Sequence, residues 1–226
     1  SRFLLGCEGM PAISDEEARG VCGEIFAKYG LPVAMRSDNG VPFSSTGLAG
    51  LTKLSVYWLR LGIARERIRP AHPEENGQHE RMHRTLKFET ARPARANLLQ
   101  QQERFDDFSH EFNHLRPHEA LGMRCPSDVY VPSTRALPAR LPLPVYLGFD
   151  DVLSVSRSGE AYIAGIGTVA LSASLAGEQV GIREEQDGRW LVEFCGLSLG
   201  HAGPGKRVFR PITAALPPKA APTPPM

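Results

Sequence analysis

The spacing of apolar positions changes partway along the chain and divides it into two parts. In residues 1–131, apolar positions recur mainly every three or four residues, which predicts helices. In residues 145–212, short apolar runs are separated by Gly or Ser, which predicts strands. Between the two parts, residues 132–144 contain four prolines and are predicted to be a linker. The Pro- and Ala-rich residues 213–226 are typical of a disordered tail.

The first part is predicted to combine helices with a few short strands. Helices are predicted over residues 14–30, 48–61, 77–89 and 96–115. Short apolar runs predict strands at residues 3–7, 33–36 and 64–68. Ser14 with Glu17 three residues later is the pattern of a capping box, so Ser14 should begin the first helix and Gly30 should end it. A strand–helix–strand order favours a parallel sheet.

The second part carries a β pattern. Strands are predicted at residues 152–155, 161–163, 168–171, 179–182 and 190–194. Asp187-Gly188 is a strong signal for a hairpin turn. Five short strands within about 60 residues predict a small β-barrel.

Charge is distributed unevenly along the chain, although the net charge of the 226 residues is only +1. Residues 60–95 hold nine Arg or Lys against five Asp or Glu, a local excess of +4. Residues 142–212 hold six against eight, a local balance of −2. A nucleic-acid footprint is therefore expected on the first part.

Cysteine usage and hydropathy narrow the class of protein to which this chain can belong. The four cysteines are scattered and form no Cys-x-x-Cys pair, which argues against a zinc site or a disulfide framework. No apolar run has the length of a membrane span, and no signal peptide is visible. These features predict a cytoplasmic protein.

Two carboxylates stand where a metal site would need them. Asp38, in Ser37-Asp38-Asn39-Gly40, follows a short apolar run, and Glu80 falls on the first turns of a strongly basic helix. A carboxylate at the end of a strand and one on a helix can meet at one divalent ion. Hard cations such as Mg²⁺ prefer oxygen ligands, and phosphoryl transfer uses those ions. Taken singly, Asp38 is more often a turn residue and Glu80 a surface residue.

Three motifs in order carry a resemblance to a known family. Asp38-Asn39-Gly40 is followed by Pro-Glu-x-Asn-Gly-x-x-Glu-x-x-His-Arg-x-Leu-Lys over residues 73–87. Phe112-Asn113-His114-Leu115-Arg116-Pro117-His118-Glu119-Ala120-Leu121 and then Pro126-Ser127-Asp128-Val129-Tyr130 come later. Together they resemble the catalytic core of retroviral-integrase-type transposases, most closely those of bacterial insertion sequences. The resemblance covers about residues 1–130.

The resemblance implies a fold and a set of metal ligands. The fold would be α/β: a ribonuclease-H-like integrase core over residues 1–131, lacking its first strand, followed by a small SH3-like β-barrel over residues 145–212. The family uses an Asp-Asp-Glu set, in which Asp38 matches the second member and Glu80 the third. No Asp or Glu precedes Glu8, so we expect the first member to lie in sequence not present here, as in an N-terminally truncated chain.

DNA contacts are also implied by the resemblance. Glu80, Arg84 and Lys87 fall at i, i+4 and i+7 and share one helix face, with His83 beside them. Met82 and Leu86 should face a core. The resemblance to the family implies that the following residues lie near DNA: Asn76, His79, His83, Arg84 and Lys87.

The function implied is that of a DNA transposase or integrase. It would use Mg²⁺ or Mn²⁺, two ions in the complete site, to cleave and join DNA. The implied partners are transposon ends, target DNA and further copies of the chain, in a bacterial, nucleoid-associated setting without membrane or small-molecule substrate. The alternatives are a catalytically inactive remnant that binds DNA or the intact transposase, and a nuclease of the same fold.

Several other residues are predicted to have structural rather than functional roles, or to be solvated. His72, His110, His114 and His118 are predicted to be structural or solvated, and Trp58 with Tyr57 to belong to the core. For the β part, DNA binding and a packing or multimer-contact role are left open.

Overall fold

A computed structural model describes residues 1–10, 14–37, 40–67, 77–91, 96–185, 188–204 and 209–212. The helices are α1 (Asp15–Tyr29), α2 (Lys53–Arg60), α3 (Gly77–Thr90), α4 (Leu98–His110) and α5 (Pro126–Val129). The strands are β1 (Ala34–Ser37), β2 (Ala64–Arg67), β3 (Asp151–Ser154), β4 (Glu160–Ile163), β5 (Gly167–Ala170), β6 (Gln179–Glu184), β7 (Trp190–Phe194), β8 (Leu197–Ala202) and β9 (Phe209–Pro211). The mixed α/β content predicted from the sequence is confirmed.

The first helix begins and ends as its capping residues predict. The Ser14 hydroxyl accepts a hydrogen bond from the Glu17 backbone N–H at 3.2 Å and donates one to the Glu17 carboxylate at 3.0 Å. At the other end, Gly30 has a φ of 81°, a conformation that favours glycine. Both ends of α1 are therefore set by local hydrogen bonds and backbone freedom.

The predicted strand at residues 3–7 is wrong, because this segment has no regular secondary structure. The Asn113 side chain takes the place of a neighbouring strand: it accepts from the Leu4 N–H at 2.8 Å and donates to the Leu4 carbonyl at 2.9 Å. With its polar backbone groups satisfied in this way, Leu4 has no need of a sheet partner.

Parallel pairing does occur in the first part, but it joins the strands predicted at residues 33–36 and 64–68 and does not involve residues 3–7. β1 and β2 pair in parallel, with Ala34 opposite Ala64. They are joined by a crossover that contains α2.

The segment predicted as one helix over residues 48–61 is divided. A 3₁₀ turn at Leu48–Gly50 includes Ala49 at a φ of 50°, and α2 begins afresh after Thr52. The Thr52 hydroxyl accepts from the Ser55 N–H, and the Ser55 hydroxyl accepts from the Thr52 N–H, which forms a capping box. Trp58, on α2, is 1% exposed, as its assignment to the core predicts.

The last long helix of the first part is shorter than predicted and changes its geometry. Asn97 caps α4 by accepting from the Gln100 N–H. Beyond His110 the chain continues as a π-helical turn over Glu111–Leu115. Helical structure stops before Pro117, which has no N–H to continue it.

The described residues of the second part contain the five predicted strands and two more. β3, β6, β7, β8 and β9 form an antiparallel sheet in the order β3-β6-β7-β8-β9, and β4 pairs with β5 in a separate hairpin. The strands missed from the sequence are β8 and β9. Asp187, in the predicted turn, lies outside the described residues.

The linker between the two parts is held against the first part. The Arg135 guanidinium donates to the carbonyls of Pro32 at 2.8 Å and Leu61 at 2.7 Å. The backbone carbonyl of Arg135 accepts a hydrogen bond from the Leu31 N–H at 2.7 Å. Residues 132–144 are thus tied to the ends of α1 and α2.

The β part shares an apolar core with the α2 region, so it does have a packing role. The core combines Leu51, Val56 and Leu59 with buried residues of the strands. Arg60 at the end of α2 forms an ion pair with Glu178, whose side chain is 17% exposed. Within the described residues, no helix is long and apolar enough to cross a membrane.

Candidate nucleic-acid interface

Helix α3 has a buried face and an exposed face. Leu86 is 9% exposed and Thr90 2% exposed, and Leu86 packs with Phe108 and Phe112. Met82 is partly buried in the same cluster. The prediction that Met82 and Leu86 face a core is confirmed, and this packing fixes which side of α3 points outward.

The exposed face carries the predicted functional residues Glu80, Arg84 and Lys87, which we call the α3 stripe. At about 100° per residue, these three positions span roughly 60° of the helix circumference. All three side chains are exposed. Within the described part of the chain, none of the three forms an ion pair. The two cations are therefore available to an anionic partner.

His79 and His83 lie one turn apart beside the α3 stripe. Their ring centroids are 4.4 Å apart and the rings are tilted by 40°. Desolvation lowers the pKa of His83, and the positive charges of His79 and Lys87 lower it further. The lowered pKa favours the neutral form of His83, in which one ring nitrogen donates and the other accepts.

Two of the predicted site residues, Asp38 and Asn76, lie outside the described residues. β1 ends at Ser37, so Asp38 directly follows the carboxyl end of a parallel strand. Among the described residues, no group of three or more His, Cys, Asp or Glu side chains is placed to hold a metal ion. Of the two proposed ligands, the structure therefore places Glu80, and the joint metal site stays a prediction.

Arg116 secures the end of α3 that lies away from Glu80. Its guanidinium donates to both carboxylate oxygens of Glu89, each at 3.0 Å, and to Glu111 at 2.7 Å. These hydrogen bonds raise the pKa of Arg116. Its guanidinium carbon also lies 5.8 Å from the centre of the Phe108 ring. Arg116 belongs to the third sequence motif, but its contact with α3 was not predicted.

Sequence reasoning also missed Phe88, a residue that is 84% exposed. Phe88 follows Lys87 and falls at i+8 from Glu80, on the polar side of α3. The signal was present in the sequence, because an aromatic residue at that spacing interrupts an otherwise polar face.

The remaining histidines that lie among the described residues agree with the prediction that they are structural or solvated. His110 and His114 are exposed, and their ring centroids are 5.0 Å apart. His118 packs edge-on against the Phe112 ring at 4.8 Å. His72 lies outside the described residues.

An α/β protein with exposed cations flanking a carboxylate on one helix presents a surface suited to phosphate backbones. Comparison with protein families supports that class: residues 61–126 match the family described as "Integrase core domain". The matched segment contains the whole of α3. This family match confirms the relation to integrase-type transposase cores that the sequence motifs indicate.

One solved structure with a similar chain is the cryoEM structure of the simian T-cell lymphotropic virus intasome in complex with PP2A regulatory subunit B56 gamma. The identity is 17% and the TM-score 0.43, over 80% of this chain and 59% of that chain. The chain thus spans about three fifths of the length of that relative.

Proposed function

We propose that this chain is part of a DNA transposase or integrase that cleaves and joins DNA by metal-dependent phosphoryl transfer. The observation that carries the proposal is the match of residues 61–126 to the integrase core family. Within that segment, α3 exposes Glu80 together with Arg84 and Lys87. The carboxylate and the phosphate-binding cations are therefore on one helix face.

Arg84 and Lys87 would bind the phosphate backbone. Binding of phosphates by cationic side chains releases counterions, so it depends steeply on salt and little on sequence. His79, His83 and Asn76 would lie near the DNA end. A neutral His83 suits this position, because it adds hydrogen bonding without fixed charge.

Asp38 and Glu80 would hold Mg²⁺ or Mn²⁺, with a further carboxylate completing the set of ligands. Glu80 fits the role because its carboxylate is exposed and forms no ion pair with the described residues. The bound ions would activate the attacking oxygen and neutralise charge on the phosphoryl group. What the chain itself contributes is the placement of Glu80 by the packing of Leu86 and by the Arg116–Glu89 contact.

We also propose the remaining organisation: a core over residues 1–131, a linker over 132–144, an SH3-like barrel over 145–212, and a homo-oligomer that assembles on paired DNA ends. The antiparallel order of the second part and its contact with α2 support a compact β domain.

DNA binding tests the phosphate-contact assignment. Binding of the chain to a 30-base-pair duplex would be measured by fluorescence anisotropy over a range of salt concentrations. Arg84→Ala and Lys87→Ala should each weaken binding and reduce the slope of log affinity against log salt by about 1. The matched control is Arg157→Ala, which removes an exposed arginine from the β part. A slope unchanged in both α3 variants would remove this helix from the footprint.

A strand-transfer assay with Mg²⁺ or Mn²⁺ tests the metal-ligand assignment. In a version of the protein that joins DNA, Glu80→Gln should abolish joining and leave binding nearly intact, because the amide keeps the shape but binds a hard cation poorly. Unchanged joining would refute the role of Glu80. If the 226-residue chain binds DNA without joining it, the alternative of a DNA-binding remnant is favoured.

A further inference from the structure

Phe88 presents an aromatic ring on the face of α3 that carries the α3 stripe. The residue is 84% exposed, compared with 67% for Tyr162 in the β part. Phe88 lies about 40° around the helix from Arg84 and about 160° from the buried Leu86. It therefore points away from the core. Among the described residues, no aromatic ring contacts it.

The surroundings of Phe88 decide what kind of partner fits. The cations on the same side of α3 are Arg81 and Arg84, about 20° and 40° around the helix from Phe88, whereas Lys87 lies about 100° away at the far edge of the α3 stripe. An apolar protein surface placed over Phe88 would bury Arg81 and Arg84 without counter-charges, which is costly. A nucleic acid satisfies both features, because its phosphates pair with the cations and its bases offer flat faces to the ring.

The spacing along α3 locates the contact relative to Glu80. Phe88 is eight residues from Glu80, or about 12 Å along the helix axis. That distance corresponds to roughly three to four nucleotides at about 3.4 Å each. Bases stacked inside a duplex offer no free face to a side chain. The base that Phe88 contacts would therefore be unpaired or extruded, a few nucleotides from the Glu80 position.

We infer that Phe88 is a stacking platform for an unpaired nucleobase close to a DNA end. The inference rests on the proposed function. It adds unpaired nucleobases as the ligand class for the C-terminal end of the exposed face of α3. Arg84 and Lys87 hold the backbone without reading the state of the bases. Phe88 makes the helix favour ends that have a single-stranded segment over blunt ends.

The test compares two DNA probes of equal duplex length, one blunt and one with a five-nucleotide single-stranded tail carrying 2-aminopurine. Phe88→Ala should weaken binding to the tailed probe about tenfold, within the range found for loss of one base–aromatic stack. Binding to the blunt probe and the salt slope should not change, because no charge is lost. 2-Aminopurine fluorescence should be quenched by the wild-type protein and much less by Phe88→Ala.

Two further variants separate stacking from general hydrophobic contact. Phe88→Trp should retain tailed-probe binding, whereas Phe88→Leu should behave like Phe88→Ala, since leucine is apolar but has no π face. Tyr162→Ala, which removes an exposed aromatic ring from the β part, is the matched control and should have no effect. Because Phe88 packs against no core residue, the thermal midpoint should stay at the wild-type value in every variant.

The outcomes distinguish this inference from the proposed function. If Phe88→Ala binds both probes like wild type while Arg84→Ala still lowers the salt slope, the stacking role is refuted and the function stands. Full rescue by Phe88→Leu, or a change in oligomer mass without a change in DNA binding, would show a protein contact instead. If the wild-type protein binds neither probe, the proposed function itself fails.

Discussion

The contact between Arg116 and Glu89 should be energetically coupled, because it joins α3 to the π-helical turn that follows α4. Arg116→Met and Glu89→Gln, singly and together, form a double-mutant cycle. Methionine keeps most of the apolar stem of arginine, and glutamine keeps the size of glutamate. The coupling energy therefore reports mainly the charged hydrogen bonds.

The expected magnitude follows from the geometry and the exposure. The two bonds to Glu89 are both 3.0 Å long and form a bidentate pair, which exceeds an ordinary surface ion pair in strength. The side chains are 28% and 31% exposed, so solvent screens part of the attraction. We expect a coupling energy of about 1 kcal/mol, a value between those typical of a surface ion pair and of a buried ion pair.

The single variant Arg116→Met should cost more than the coupling alone. It also removes the bond to Glu111 and the contact with the Phe108 ring, and it leaves two carboxylates near each other. A loss of about 2 kcal/mol in the free energy of unfolding is expected, which for a chain of this size lowers the thermal midpoint by roughly 4–8 °C.

Urea unfolding at constant salt measures the cycle. The control cycle combines Arg116→Met with Glu103→Gln, because Glu103 is exposed on α4 and forms no ion pair with the described residues. Hydrogen exchange should show faster exchange in the last turn of α3 in Arg116→Met. A coupling below about 0.3 kcal/mol, equal to that of the control, would refute the idea that Arg116 holds α3 in place.

Two further predictions concern contacts between distant parts of the chain. Glu178→Gln should lower the free energy of unfolding by about 2 kcal/mol, because the Arg60 side chain, 10% exposed, loses its carboxylate partner and keeps hydrogen bonds only to the Pro142 and Leu141 carbonyls; urea unfolding that matches wild type would contradict this. Asn113→Ala should cost about 2–3 kcal/mol and speed hydrogen exchange at the Leu4 amide, because the Leu4 N–H and carbonyl both lose their partner. Asn113→Asp should recover the amide protection but not the full stability, since a carboxylate accepts from the N–H and cannot donate to the carbonyl; equal loss in both variants would show that the two bonds do not act as described.

The sequence by itself determined those elements whose cause lies within a few residues. The bounds of α1 follow from Ser14, Glu17 and Gly30, and the two faces of α3 follow from its 3.6-residue period. The five predicted strands of the second part follow from short apolar runs between glycines. The motifs likewise indicated the integrase-type relation that the family comparison confirms over residues 61–126.

Tertiary structure decided the features that depend on residues far apart in the chain. In the segment predicted as a strand, residues 3–7, the Leu4 backbone is hydrogen-bonded to Asn113, which is more than 100 residues away in the sequence. The docking of the β part on α2 depends on apolar surfaces and on an ion pair 118 residues apart in sequence. Local patterns cannot encode these outcomes, because burial and long-range hydrogen bonding are set by the partner that the fold brings into contact.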